Sequence, residues 1–108
     1  KDDFTIMKEE PFGPLVPMLS FKNFDEVIER ANKNDLGLCS YICTNSMDQA
    51  HRASELMETG TVAVNTGVVA LAEAPFGGIK QTGYGREGGS TAIKDYLNIK
   101  YTHLGLKG

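Results

Sequence analysis

Two stretches of this 108-residue chain carry residue types whose spacing points to chemistry. The first is Glu9-Glu10-Pro11-Phe12-Gly13-Pro14. Neighbouring side chains in extended backbone point to opposite sides, so Glu9 and Glu10 cannot work as an acid and base on one substrate. Pro11 biases Glu10 toward extended geometry, and the rigid turn at Phe12 and Gly13 can hold that one carboxylate against a polar ligand such as a sugar diol. The second stretch is Pro75-Phe76-Gly77-Gly78-Ile79-Lys80-Gln81-Thr82-Gly83-Tyr84-Gly85-Arg86-Glu87, with four glycines in thirteen residues. Without β-carbons the backbone can bend sharply and approach another group closely, so this segment is expected to lie beside a ligand or another loop.

Within it, Gly83-Tyr84-Gly85-Arg86-Glu87-Gly88 has the spacing of a dinucleotide fingerprint, in which a helix amino terminus meets a pyrophosphate. That fingerprint must follow directly on a strand, and Ile79 to Thr82 does not read as one; no acidic residue about twenty positions on closes a second strand. The phosphate-cradle reading is set aside on those grounds. His51 and His103 have no His, Cys or carboxylate spaced with them to ligate a metal. Cys39 and Cys43 stand in an apolar run without a sequence signal for a lowered pKa, and read as buried free thiols in a reducing compartment. No residue announces itself as a nucleophile, so no catalytic and no metal-binding residue is assigned.

The elements that must position these stretches follow from periodicity. Leu15 to Phe21 reads as a strand edged by Pro17. Asn23 with Glu26 forms a capping box, Phe24, Val27, Ile28 and Ala31 mark one helix face, and Gly37 is the expected stop. Cys39 to Thr44 is the next strand; Ser46 with Gln49 opens a second helix running to about Glu58, with Met47, Ala50, Ala53 and Met57 as its buried stripe. Thr61 to Asn65 is strand-like, and the alternation implies an α/β layer with parallel pairing. Residues 66 to 89 read as a long functional loop, a third helix is expected near Ser90, and an extended run from Ile99 to Leu106 lacks a partner within the chain.

Composition excludes several classes. A net charge of −3 with eleven scattered Lys and Arg gives no footprint for nucleic acid. No apolar run reaches the ~18 to 20 residues needed to cross a bilayer, and Lys1-Asp2-Asp3-Phe4 is no signal peptide, so no membrane partner and a cytoplasmic location are expected.

Taken together, the Glu9–Pro14 and Pro75–Glu87 motifs, with Val62-Ala63-Val64-Asn65 between them, resemble an aldehyde dehydrogenase across nearly the whole chain. Asn65-Thr66-Gly67, Asp95-Tyr96-Leu97 and Lys100-Tyr101 resemble the succinate-semialdehyde branch of that family most. The resemblance implies an α/β fold, here part of the three-layer catalytic domain over residues 1–97, followed by an oligomerisation strand over 98–108. It implies NAD or NADP as cofactor, with Glu10 accepting hydrogen bonds from the nicotinamide-side ribose and Phe12 packing by the nicotinamide ring. It implies a small aldehyde substrate in a pocket formed by Val68, Val69, Ala70, Leu71 and Phe76, and assembly as a homo-oligomer.

In the family a thiolate attacks the aldehyde, hydride passes to the nicotinamide, and a Glu-activated water hydrolyses the thioester. The family's nucleophile lies in a Gly-Gln-x-Cys context, which neither Gly37-Leu38-Cys39-Ser40 nor Tyr41-Ile42-Cys43 matches. The resemblance therefore implies only the carboxy-terminal fifth of an enzyme, with the catalytic centre upstream of Lys1 and no activity by itself. Succinate-semialdehyde enzymes commonly place a serine in the anchoring loop, where Ala70 and Leu71 stand here; this apolar lining suits a longer or less polar aldehyde. The alternative to a piece of an oxidoreductase is a stand-alone structural or dimerisation module.

Overall fold

The computed structural model describes residues 3–106 and 108. Its centre is a β-α-β unit. Strand β2 (Cys39–Ile42) pairs parallel with β3 (Thr61–Val64), from Cys39 opposite Thr61 to Ile42 opposite Val64, and the connection between them is helix α2 (Met47–Leu56). Parallel strands need such a crossover, and β-branched Thr61, Val62 and Val64 suit the pleat. Ser46 caps α2 by accepting from the Gln49 amide at 3.3 Å, as its capping box predicts.

Helix α1 (Phe24–Asn32) is capped the same way: Asn23 Oδ1 accepts from the Glu26 amide at 2.9 Å, and Glu26 reaches back to the Lys22 amide at 2.8 Å. Phe24, Val27 and Ile28 are half-buried as their spacing requires, whereas Ala31 is exposed. The Arg52 guanidinium of α2 lies 4.5 Å from the centre of the Phe24 ring, joining the two helices by a cation–π contact.

The α1 helix ends at Asn32, five residues before Gly37, its expected stop, and the Asn32 side chain reaches the end of α2. Asn32 Nδ2 donates to the Leu56 carbonyl at 2.8 Å and Oδ1 accepts from the Glu58 amide at 2.9 Å, so the last residue of α1 also holds the end of α2. Gly37 instead belongs to a two-residue strand, β1 (Leu36–Gly37), paired antiparallel with β4 (Ile79–Lys80). Ile79–Lys80 is thus a strand after all, correcting the sequence expectation for that segment. The glycine motif that follows nevertheless opens no helix: residues 83 to 89 fold back along the chain. Close approach explains one glycine in particular, since a β-carbon on Gly60 would overlap the Gly77 carbonyl.

Four further expectations are corrected. Residues 15 to 21 form no strand, because nothing among the described residues pairs with them, and Leu15, Val16, Met18, Leu19 and Phe21 are exposed. The third helix is a five-residue 3-10 turn, Ala92–Tyr96, with Ile93, Tyr96 and Leu97 exposed. Met47 falls outside the α2 stripe at 83% exposure, and Cys43 is exposed while Cys39 is half-buried; both thiols are free. The run from Ile99 to Leu106 has no regular secondary structure and pairs with no strand among the described residues, with Ile99 fully exposed.

Among the described residues the buried centre is correspondingly small, made of Gly37, Ser40, Ala53, Ala63 and Gly78, and the Ser40 hydroxyl hydrogen-bonds Thr59 Oγ1 at 3.0 Å. The Cα radius of gyration is 19.2 Å. A compact domain of this length would have about 13 Å. Among the described residues no helix is long and apolar enough to cross a membrane.

Candidate functional site

A cleft of about 740 Å³ lies between the β1–β2 segment, the residues before Pro11, and the glycine-rich loop. Its walls bring together Glu10, Val69 and Phe76, three residues to which the family resemblance assigns ligand binding. Phe12, Val68, Ala70 and Leu71 do not line it. Phe12 is 95% exposed, and Val68 and Leu71 are also open to solvent. The cleft thus joins the proposed cofactor carboxylate to two of the five proposed pocket residues.

Glu10 is held by backbone before it. The 3-10 turn Thr5–Met7 is closed by the Lys8 and Glu9 amides donating to the Thr5 carbonyl, each at 2.9 Å, after which Pro11 carries the chain away. Glu10 itself makes no hydrogen bond among the described residues, leaving both carboxylate oxygens free to accept from a ligand's hydroxyl groups. Glu10 is exposed among the residues that line the cleft. Lys8 is the cation among the described lining residues.

Phe76 is placed by a fold within the loop. Its amide donates to the Glu87 carbonyl and the Glu87 amide donates to its carbonyl, both at 2.7 Å, a single antiparallel rung. The next rung would pair Gly78 with Gly85, but Gly85 has φ 90°, and the ladder ends there. Arg86 fills the gap: its Nη1 donates to the Gly78 carbonyl at 2.8 Å and to the Gly85 carbonyl at 2.7 Å. Its own amide donates to Asp95 Oδ2 at 2.8 Å, tying the loop to the 3-10 turn Ala92–Tyr96. Farther along, the Gly89 amide donates to the Ala72 carbonyl at 2.9 Å, which draws residues 66 to 74 toward the same fold.

The entrance to this loop is Asn65, in left-handed backbone at φ 55°. Its amide group donates to the Thr44 carbonyl at 2.8 Å and accepts from the Thr44 amide at 3.0 Å, so one side chain imitates a strand and closes the end of the β2–β3 pair. The loop's other anchor is Thr82, whose Oγ1 accepts from the Gly37 amide at 2.8 Å.

Residues that sequence reasoning did not connect with the site also line the cleft: Leu36 to Tyr41, including Cys39, and Thr59 and Met57. They come from elements read as core, and only the tertiary fold turns them toward the loop. Glu29, outside the cleft lining, is held below the usual carboxylate range by its hydrogen bond from Lys33 and then by that residue's charge. Among the described residues no group of three or more His, Cys, Asp or Glu is arranged to hold a metal ion.

A family profile described as the aldehyde dehydrogenase family matches residues 1–102. The chain is 49% identical over 100 residues to a 3-sulfolactaldehyde dehydrogenase from Pseudomonas putida, covering 93% of this chain and 21% of the relative. It is 46% identical over 101 residues to a succinate-semialdehyde dehydrogenase (NADP+) from Escherichia coli strain K12, covering 94% of this chain and 21% of the relative. Among solved structures it resembles the NAD+ complex of an aldehyde dehydrogenase from Bacillus cereus, with a TM-score of 0.88 and 45% identity over 93% of this chain and 20% of that one. The chain spans about a fifth of the length of the curated relatives it matches.

Proposed function

This chain belongs to the aldehyde dehydrogenase family, and from that membership we propose that it is the carboxy-terminal part of an NAD- or NADP-dependent enzyme oxidising succinic semialdehyde to succinate. Residues 1–97 complete the catalytic domain and 98–108 supply a strand to another subunit of a homo-oligomer. The observation that carries the reading is the cleft in which Glu10, Val69 and Phe76 meet. A carboxylate suited to a ribose on one side and an aromatic ring on the other is the arrangement needed to hold a nicotinamide nucleotide against an aldehyde.

The nicotinamide, when bound, supplies the hydride acceptor. Glu10 would hold the ribose by accepting from its hydroxyl groups, and Phe12 offers an exposed ring face for the nicotinamide. Phe76 and Val69 shape the aldehyde side and exclude water from it. Two relatives named above act, by their names, on aldehydes that end in an anionic group, which supports a carboxylated substrate. Val68 to Leu71 bring no cation to such a group, so the carboxylate partner is supplied by residues beyond this loop.

The test uses the enzyme whose chain contains these residues. Reduced nicotinamide formation is followed with NAD and with NADP, on succinic semialdehyde, glutaric semialdehyde, 3-sulfolactaldehyde and a neutral aldehyde of similar length. The expected result is the highest kcat/KM on succinic semialdehyde. A preference for the neutral aldehyde overturns the substrate, and turnover of none of them overturns the activity.

A further inference from the structure

We propose that Arg86 is a positioning residue for the aldehyde side of the cleft: it fixes Phe76 by replacing, with its own side chain, the ladder rung that Gly85 omits. The proposal rests on reading this cleft as an aldehyde pocket and adds a residue that this reading does not use.

The geometry is specific. Phe76 is paired with Glu87 through two 2.7 Å hydrogen bonds, yet an isolated rung is a weak anchor for a side chain that must hold its place in a cavity wall. Continuing the same register would set Gly78 opposite Gly85. Arg86 Nη1 donates to both of those carbonyls instead, at 2.8 and 2.7 Å. Among the described residues no carboxylate is ion-paired with this half-buried guanidinium; its charge is directed at main-chain oxygens. The stem completes the clamp, because a β-carbon on Gly77 would come within 2.9 Å of Arg86 Cδ. Arg86 therefore lies against the residue next to Phe76 while bonding the residue after it.

The brace is anchored from outside as well. Asp95 Oδ2 accepts from the Arg86 amide at 2.8 Å, holding Arg86 to the 3-10 turn rather than to the loop alone. A planar guanidinium suits this double donation, since its Nη1 presents two N–H donors in a fixed plane to the two carbonyls, whereas an ammonium is a single flexible point charge. Loss of Arg86 should let residues 75 to 78 rotate about the one remaining rung, moving Phe76 while leaving the Glu9–Pro11 side of the cleft untouched.

The experiment compares Arg86→Gln, Phe76→Ala and the double variant in the full-length enzyme, with succinic semialdehyde as the probe. Arg86→Gln should raise the aldehyde KM about tenfold while the coenzyme KM stays within about twofold of the parent. The double variant should be no worse than Phe76→Ala, because Arg86 acts through that ring. Multiplying effects in the double variant, an equal rise in both KM values, or unchanged kinetics in Arg86→Gln would each overturn the positioning role and leave the pocket reading standing. An unchanged aldehyde KM in Phe76→Ala would instead remove the pocket wall and this proposal together. Should Arg86→Gln give no soluble enzyme, Arg86→Lys is measured by the same criteria, with a smaller aldehyde-selective rise expected.

Discussion

Lys80 Nζ lies 2.6 Å from Glu58 Oε2, and the same ammonium donates to the carbonyls of Asn32 at 2.7 Å and Asn34 at 3.0 Å. One cation thereby ties β4 to the end of α1, the approach to β1 and the end of α2. The backbone at Lys80 is left-handed, with φ 56°, so these bonds are made at the expense of local strain.

Replacing Lys80 separates the two effects. Lys80→Ala keeps the strain and loses all three bonds, which should lower stability by about 2 kcal/mol. Lys80→Gly loses the same bonds but relieves the backbone, and should be better than Ala by about 1 kcal/mol. Melting curves of the full-length enzyme at one scan rate are expected to rank wild type, Gly, then Ala. Equal Tm values for Gly and Ala would show that φ at this position costs nothing.

Gly60→Ala should be far more damaging than its chemistry suggests. The added methyl would overlap the Gly77 carbonyl, so the glycine-rich loop must move off β3 or the chain must fail to fold. A loss of more than about 3 kcal/mol, or insoluble protein, is expected. Gly67→Ala, where nothing lies within 4 Å, is the control and should change stability by less than about 0.5 kcal/mol. Expression yield and denaturant midpoint check both.

Glu10→Ala should weaken coenzyme use without weakening the fold. Glu10 makes no hydrogen bond among the described residues, so its removal breaks nothing that holds the chain together. Losing a charge-assisted bond to the ribose is expected to reduce kcat/KM for the coenzyme about tenfold to a hundredfold. Steady-state kinetics with the coenzyme varied at saturating aldehyde decide this; unchanged values would remove the ribose role.

The 108-residue chain by itself should associate. Phe12, Ile99, Tyr101, Leu104 and Leu106 are all more than four-fifths exposed, and the run from 99 to 106, unpaired among the described residues, offers its backbone to a neighbouring strand. Light scattering across a concentration series is expected to show dimers or larger species. A monomer at the highest concentration would contradict the expectation.

Local signals were legible wherever the cause lay within a few residues. The capping pairs Asn23 with Glu26 and Ser46 with Gln49, and the β-α-β order across residues 39 to 64, follow from composition and spacing, and they form as expected. The strand expected at 15 to 21 does not form, because pairing depends on a partner and none is supplied among the described residues. β1 and β4 were invisible for a related reason. Each is two residues long, and Gly37 and Lys80 are poor strand formers alone; the pairing is held by the Thr82 hydroxyl and the Lys80 ammonium from a distance in sequence. At the site, the motifs marked Glu10 and Phe76 by residue type, but the convergence of Cys39 and Tyr41 on the same cleft depends on the tertiary fold.

The doubled bond between Asn65 and Thr44 also sets a chemical lifetime for the sheet end. Hydrolysis of the Asn65 side-chain amide to a carboxylate would keep the acceptor that meets the Thr44 amide but turn the donor at 2.8 Å from the Thr44 carbonyl into a second acceptor. Two oxygens would then face each other across the closure of β2 and β3. Slow deamidation at this one residue would therefore loosen the root of the loop that carries Phe76, so ageing of the protein would reach the cleft without touching any residue that lines it.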